Sequence, residues 1–223
     1  MHFPKLDNSS IREAVSLWFY DEKKCIREYG HISEWDTEFV TDMTQLFEGK
    51  GNFNEFLPWN TSNVTNMSSM FEECTDYNQP FICDTSNVID MSWMFSDCKY
   101  FNQELQLNTS NVTNMRGMFH GCKSFERPLL SWDTSNVTDM SDMFHGCTYF
   151  DRMLEWNTSN VNDMSNMFAF CTYFDQLLEW DTSNVTDMSF MFLDCSSFDQ
   201  PISWDLSNVT DKCMMFKNAK YSK

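Results

Sequence analysis

A 24-residue repeat constrains the fold of this chain more than any other feature of its sequence. Residues 133–140 and 181–188 both read DTSNVTDM, and residues 157–164 read NTSNVNDM. The valine of this motif recurs at spacings of 24 residues, with a single spacing of 25, at Val40, Val64, Val88, Val112, Val137, Val161, Val185 and Val209. The extra residue falls in LLSW at 129–132. Such a period indicates stacked units that bury their apolar sides against one another.

Apolar residues recur at fixed positions after this valine, which is numbered here as position 0 of each repeat. Position +7 is Phe in all eight repeats, position +6 is Met in seven, and position +10 is Cys in the six central repeats. Position +3 is Met in seven repeats, and position +13 is aromatic in seven. Positions 0, 3, 6, 7, 10 and 13 have helical spacing, so we expect a short helix or 3₁₀ segment after each valine, with this face inward.

Polar residues around the valine predict how each unit begins. Asn commonly stands at position −1 and Asp or Asn at position +2, which suits the N-cap and first turn of a helix. The DTS that precedes them is typical of Asx and Ser/Thr turns. Earlier in the repeat, apolar residues two apart, such as Leu154 with Trp156 and Leu178 with Trp180, predict one short strand per repeat.

These patterns predict a repeat solenoid, with short parallel strands on one face and short helices or 3₁₀ turns on the other. Residues 1–34 are expected to form an N-terminal capping region, with a helix within residues 8–29. Residues 35–223 are expected to form eight repeats, of which the last is degenerate and caps the C-terminal end. Lysines replace apolar residues there or follow them, at Lys212, Lys217, Lys220 and Lys223.

The net charge of −18 and the pI near 4.3 make nucleic acids and anionic membrane surfaces poor partners. The N-terminal sequence has no charged region followed by an apolar run, as a signal peptide would, and no apolar run is long enough to span a membrane. The location is not fixed by the sequence, but we expect an intracellular (cytoplasmic) or virion-associated protein rather than a secreted or membrane-inserted one.

The repeat pattern WDTSNVTDMSxMFxxCxxFxxPL resembles the BspA-like leucine-rich-repeat group, known from mycoplasma and other bacterial surface proteins, protists and large DNA viruses. Residues 132–154, 156–178 and 180–202 match it nearly throughout. The resemblance implies a leucine-rich-repeat-like fold and, loosely, roles in adhesion or protein binding. The family pattern contains no catalytic residues. The first repeat departs from it at Phe39 and Lys50, and the last repeat is degraded.

Candidate chemical sites have structural explanations, so we expect no cofactor, metal or catalytic residue. The Cys at position +10 are expected to form a buried, reduced ladder rather than disulfides. His120 and His145 share position +8 and are interpreted as surface histidines rather than partners of the nearby Cys. The Asp and Asn at positions −4 and +2 could bind calcium in a ladder, but turn and cap chemistry explains them better.

Positions that differ between repeats are where a repeat protein is expected to recognise partners. The candidate partner-binding residues are aromatic or apolar at non-core positions: Trp93, Tyr149, Phe170, Tyr173, Phe190 and Leu193. They predict an exposed apolar patch toward the C-terminal half, with mutual packing as the alternative. The sequence favours a non-enzymatic protein–protein interaction module with an unidentified partner. The alternative is a structural component of a larger assembly, such as a virion or a cell-surface layer.

Overall fold

Two helices precede the repeats in the computed structural model, which describes residues 3–221. Helix α1 spans Ser10–Tyr20 and helix α2 spans Glu22–Tyr29, followed by a 3₁₀ turn at Ile32–Glu34. The sequence predicted one helix here, but the chain breaks at Asp21, where φ is −150°. The Asp21 side chain accepts a hydrogen bond from the Lys24 amide and so begins α2.

Helix α1 lies against the first repeat. Its Trp18 and Phe19 rings make edge contacts with Trp35 (6.4 Å between centroids) and Phe53 (5.8 Å). The preceding Asn8 accepts hydrogen bonds from the Thr41 and Asp42 amides through its side-chain oxygen, at 2.8 and 3.2 Å. Arg12 donates to the Thr44 carbonyl. Polar groups at the start of the stack are therefore satisfied by side chains from the N-terminal region.

The predicted leucine-rich-repeat-like fold, with strands on one face and helices on the other, is wrong. Residues 3–221 contain no β-strand, no sheet, and no α-helix beyond α1 and α2. The repeats are instead successions of turns, joined by isolated parallel bridges between positions +2 of neighbouring repeats, from Asp42 with Asn66 to Asp187 with Asp211. A further bridge joins Lys5 to Asp36.

Backbone hydrogen bonds between neighbouring repeats follow one pattern at every interface. The amides at positions +3, +5, +7 and +9 donate to the carbonyls at positions +2, +4, +6 and +8 of the next repeat. Between the fifth and sixth repeats, for example, the Phe144 amide donates to the Met167 carbonyl at 2.9 Å. The amide at position +1 donates in the opposite direction, to the carbonyl at position +1 of the preceding repeat, and at several interfaces the amide at position +12 donates to the carbonyl at position +11 of the preceding repeat. Each repeat is thus hydrogen-bonded along its turns without forming strands.

Left-handed residues at two positions explain why no helix follows the valine. The residues at positions +5 and +9 have positive φ in all eight repeats, between 53° and 72°. A right-handed helix cannot contain such residues, because its φ stays near −63°. Most are not glycine, as Trp93 (φ 57°) and Phe170 (φ 62°) illustrate. The inward positions recur with helical spacing, but the chain reaches them by repeated turns.

The segment predicted to be a strand makes no backbone ladder between repeats among the described residues. Its Leu and Trp side chains are buried as expected, and the Trp indole N–H donates to the Leu carbonyl of the preceding repeat, as Trp180 does to Leu154 at 3.1 Å. Position +16 is Pro in three repeats, which removes an amide donor there. Side chains rather than backbone pairs therefore hold this segment.

Stacked aromatic rings form the centre of the core. Within each repeat, the rings at positions +7 and +13 lie about 4 Å apart, as between Phe144 and Phe150 at 4.2 Å and 11°. Rings at position +7 of neighbouring repeats also stack, as between Phe144 and Phe168 at 5.6 Å. The predicted inward positions are correct, since Val137, Met140 and all the rings named here have no exposed surface. Burial of these rings supplies much of the hydrophobic stabilisation.

Polar columns hold the repeats together outside the core. The sequence predicted that the Asn at position −1 is an N-cap, and this prediction is wrong. The Asn side-chain amide donates to a carbonyl of the preceding repeat, as Asn160 does to Ser135 at 2.6 Å. The Asx turns are confirmed, because Asp181 Oδ1 accepts the Ser183 amide at 3.0 Å. Buried Thr at position −3, such as Thr158, donates to a carbonyl of the next repeat.

The division into an N-terminal region, 1–34, and a repeat region, 35–223, stays a prediction. Residues 1–2 and 222–223, including Lys223, lie outside the described part of the chain.

The left-handed backbone makes glycine more favourable than alanine at exposed position Gln45, where φ is 57°. We expect Gln45→Gly to be more stable than Gln45→Ala by about 1 kcal/mol, because only glycine adopts this conformation without steric cost. Urea denaturation of both variants measures the difference.

Ser16, an exposed residue within α1, is the matched control. There, alanine should be the more stable substitution, by about 1 kcal/mol. An alanine preference at both positions would contradict the left-handed turn and restore a helix after the valine.

Candidate functional site

Three exposed aromatic side chains form the candidate site, called here the aromatic surface: Tyr149, Phe170 and Tyr173. The two tyrosine rings stack in neighbouring repeats, with 5.5 Å between centroids and 13° between planes. Tyr149 is 57% exposed, Tyr173 is 54% exposed and Phe170 is 43% exposed. Stacking on each other therefore leaves about half of each tyrosine accessible to a partner.

The repeat backbone places these rings on the outside. Both tyrosines occupy position +12, directly before a buried Phe at position +13, so the chain turns one ring inward and the other outward. The Tyr173 amide donates to the Thr148 carbonyl at 3.3 Å, which fixes the register of neighbouring repeats here. Phe170 occupies the left-handed position +9, where Gly49, Gly121 and Gly146 stand in other repeats.

A row of rings links Phe170 to Trp93. Phe170 meets His145 edge-on at 5.2 Å, His145 stacks on His120 at 4.5 Å and 5°, and His120 meets Trp93 at 5.5 Å. The two histidines are half-buried rather than freely solvated. The row crosses the third to the sixth repeats, so residues far apart in sequence share one surface.

Trp93 depends on a glycine in the next repeat. A Cβ atom at Gly117 would lie 2.2 Å from the Trp93 ring, so only glycine leaves room for the indole. Arg116 lies over the same ring, with its guanidinium carbon 5.4 Å from the centroid, and pairs with Asp142 at 3.3 Å. Trp93 is half-buried and already contacts a cation.

Phe190 and Leu193 lie nearer the C-terminal end and are half-buried. Phe190 is also left-handed, with φ of 58°, and its amide donates to the Cys213 carbonyl at 2.8 Å. No ring contact joins Phe190 to the aromatic surface within the described residues. Ring contacts therefore join Tyr149 to Tyr173, and they join Phe170 to Trp93 through the two histidines, whereas Phe190 and Leu193 stand apart.

Sequence reasoning missed that the two histidines connect the candidates. The sequence did contain a sign of the histidine stack, because His120 and His145 occupy the same position in neighbouring repeats, each within HGC. Sequence reasoning also missed the exposed apolar residues Met153 (52%) and Leu177 (46%) at position +16. These two border a shallow cavity of about 380 Å³ beside Trp156 and Glu179.

Buried thiols line the inside of the repeats. The Cys at position +10 are all buried, and Cys147 donates its S–H to the Phe119 carbonyl at 2.9 Å. Burial raises the pKa of the Cys74 thiol to about 12, and raises the pKa of Cys147 well above its ordinary value of 9. The half-buried Cys83 thiol also has a pKa raised by burial to about 12. Such thiols stay protonated near neutral pH and are weak nucleophiles.

The acidic columns have their inner oxygens occupied by backbone amides. Asp139 Oδ1 accepts the Ser141 amide at 2.9 Å, and Asp163 Oδ1 accepts the Ser165 amide at 2.9 Å. Among residues 3–221, no group of three or more His, Cys, Asp or Glu side chains is placed to hold a metal ion. Turn formation accounts for these oxygens.

The fold and this surface define a tandem-repeat protein that displays variable side chains on a regular stack. The model of the family described as "Mycoplasma protein of unknown function, DUF285" matches residues 14–106, 82–155 and 151–222. Because these matches span most of the chain, the protein belongs to this family. No curated protein and no solved structure matches the chain.

The described residues, 3–221, include no helix with the length and apolar character needed to cross a membrane.

The buried thiols should differ sharply in reactivity from Cys213, which is exposed. At pH 8 we expect iodoacetamide to modify Cys213 in the folded protein and to leave Cys74 and Cys147 unmodified, because burial blocks access and raises the pKa of both thiols. Mass spectrometry of tryptic peptides measures the modification. Unfolding in urea should expose all sites, and rapid labelling of Cys147 without urea would contradict the buried ladder.

Stability should fall on acidification because of His145. Burial and the neighbouring His120 lower the pKa of His145 from 6.5. Below about pH 6.5 the unfolded chain therefore binds more protons than the folded chain, and the stability gained from the neutral ring is lost as pH falls. Urea midpoints at pH 7 and pH 5 measure the loss.

His145→Ala is the comparison, because Ala169 stands at the same position in the next repeat. The variant should lose less stability than the parent between the two pH values. An equal loss in both proteins would show that His145 is not the group responsible.

Proposed function

We propose that this protein is a non-catalytic protein–protein interaction module that binds a partner through the aromatic surface. The repeats act as a rigid support that holds Tyr149, Phe170 and Tyr173 in fixed positions. Rigid aromatic side chains supply a large contact area at small entropic cost, and they are enriched at protein interfaces.

The observation that carries the proposal is the position of Phe170. Its backbone is left-handed, which costs a non-glycine residue about 1 kcal/mol or more, and three other repeats have glycine there. Its ring is 43% exposed, so hydrophobic burial recovers only part of that cost. A bulky apolar side chain that is unfavourable for both backbone and solvation is explained if a partner covers it.

The resemblance to the BspA-like group supports the same conclusion. That resemblance implies adhesion or protein binding and supplies no catalytic residues. The aromatic surface also contains no nucleophile paired with a base and no phosphate-binding loop, features that an enzymatic site would need. An intracellular or virion-associated location remains part of the proposal, as does the absence of nucleic-acid binding in a chain of net charge −18.

A structural role in a larger assembly, such as a virion or a cell-surface layer, is the second candidate. It is favoured by the edge of the last repeat, where the amide groups at positions +3, +5, +7 and +9 have no following repeat among the described residues. Under this alternative, contacts at the end of the stack would matter more than the aromatic surface.

Replacing the aromatic surface with residues from other repeats tests the proposal. The triple variant Tyr149→Ser, Phe170→Gly and Tyr173→Ser introduces side chains found at the same positions in other repeats. We expect it to fold normally and to lose partner binding by at least about tenfold, because aromatic hot spots often contribute 1–2 kcal/mol each. Affinity purification from the native source, quantified by mass spectrometry, identifies the partner, and titration with that partner measures the loss.

Tyr100→Ser is the matched control, since Tyr100 occupies the same position +12 in the third repeat and is 60% exposed. It should retain the partners of the parent protein. Unchanged binding by the triple variant, with an unchanged urea midpoint, would overturn the proposed surface. Loss of sedimentation with a particle, without loss of a soluble partner, would favour the structural alternative.

A further inference from the structure

The last repeat presents backbone amides that every other repeat uses to bind its successor. In the seventh repeat, the amides of Met188 and Phe192 donate to the Asp211 and Met215 carbonyls, at 2.9 and 2.8 Å. The equivalent amides of the eighth repeat have no acceptor among residues 3–221, and they belong to Lys212, Met214, Phe216 and Asn218. This row of unpaired donors is called here the C-terminal edge.

The C-terminal edge is the positive end of an aligned set of peptide dipoles. The peptide groups between positions +2 and +3, +4 and +5, +6 and +7, and +8 and +9 are hydrogen-bonded head to tail through all eight repeats. An α-helix has the same arrangement of parallel hydrogen-bonded chains, which produces a partial positive charge where amides are unpaired. Met214 and Asn218, whose amides belong to this edge, are left-handed, with φ of 53° and 61°.

Side-chain charge changes sign at this edge. Residues 181–204 contain four Asp and no Lys or Arg, whereas residues 205–221 contain three Lys and two Asp. Lys212 and Lys217 are exposed and have no ion-pair partner within the described residues, whereas Lys220 pairs with Asp199 at 3.6 Å.

The two carboxylates of the last repeat are engaged locally. Asp205 accepts the Ser207 amide, and Asp211 accepts the Cys213 amide, at 2.9 and 2.8 Å. Both carboxyl groups are exposed, so they partly weaken the attraction of this edge for an anion. The amides and the unpaired lysines still make this the basic end of an acidic protein.

Two substitutions make the edge unsuitable for another ordinary repeat. Leu206 replaces the Thr that donates its hydroxyl to the next repeat, and Lys212 replaces a buried Met. A second copy of the chain is also excluded as a simple continuation, because α1 covers its first repeat and Arg12 occupies the Thr44 carbonyl. A molecule bound at this edge must therefore tolerate the Lys212 ammonium group at position +3. It must also supply hydrogen-bond acceptors for the four edge amides.

We propose that the C-terminal edge binds an extended acidic segment of a partner protein. Carbonyl groups of the segment accept the amides of Lys212, Met214, Phe216 and Asn218, in the manner of strand addition at a sheet edge. Its carboxylates pair with Lys212 and Lys217. A shallow cavity of about 410 Å³, lined by Leu206, Met215 and Phe216 between the two lysines, receives one apolar side chain of the segment.

A labelled ten-residue peptide of alternating Thr and Glu, with one central Leu, is the probe. Its binding to the full chain is measured by fluorescence anisotropy, and a peptide with Gln in place of every Glu is the matched probe. We expect the Glu peptide to bind at least about tenfold more tightly than the Gln peptide, because two exposed ion pairs and the dipole favour the anion. Equal affinity of the two peptides would overturn the proposal.

Charge-neutral variants locate the site. Lys212→Gln with Lys217→Gln should weaken binding of the Glu peptide by about tenfold. Lys99→Gln with Lys123→Gln removes two exposed lysines elsewhere and should leave binding unchanged. A similar loss in both double variants would mean that the peptide follows net charge alone, which contradicts the assigned site.

Amide hydrogen exchange measured by NMR tests the backbone contacts. In the free protein, the amides of residues 212, 214, 216 and 218 should exchange rapidly, whereas those of Met188 and Phe192 should be protected. Saturating Glu peptide should slow exchange at the four edge amides by about tenfold or more. Peptide binding without this protection, or dimerisation of the chain through the edge, would overturn the proposal. Neither outcome bears on the aromatic surface, whose variants are tested separately.

Discussion

The left-handed residues at positions +5 and +9 are the constraint on which the rest of the structure depends. They turn the chain so that four amides of each repeat point toward the next repeat and four carbonyls point toward the previous one. The same turns direct Val, Met, Phe and Cys inward, where the rings stack into one continuous core. Hydrogen bonding and hydrophobic burial therefore reinforce each other at every interface.

The sequence predicts which residues are buried better than how the backbone reaches them. Apolar periodicity identifies Val137, Phe144 and Cys147 as inward-facing, because burial selects residue type whatever the backbone conformation. The same spacing fits a helix and a series of tight turns, so the predicted helices were wrong. Glycines at Gly117, Gly121 and Gly146 fall on the two left-handed positions and were the available signal. The predicted strands failed because the Leu–Trp segment bonds through indole groups.

The candidate site was predictable only in part. Variation between repeats singled out Tyr149, Phe170 and Tyr173, and all three are exposed. The ring contacts of Tyr149 with Tyr173 and of Phe170 with His145 could not be predicted from the sequence, because they depend on the direction in which each ring leans. The stack of His120 on His145 follows from their shared position, yet its role in joining Trp93 to Phe170 needs coordinates. The lysines of the last repeat predict a solvent-facing end of the stack. The unpaired amides beside them could not be predicted from the sequence, because they depend on backbone geometry.

The one extra residue in the repeat array falls where the interfaces can absorb it. Leu129 and Trp132 remain buried in their columns, while Leu130 and Ser131 bulge outward in a turn. This segment carries no amide–carbonyl ladder between repeats, so lengthening it leaves the four bonds of each interface intact. The same logic holds for a whole unit of 24 residues. Unequal recombination between nearly identical repeats, such as those of Val161 and Val185, would change the chain by whole units, and each product would keep both ends and the four backbone bonds of every interface.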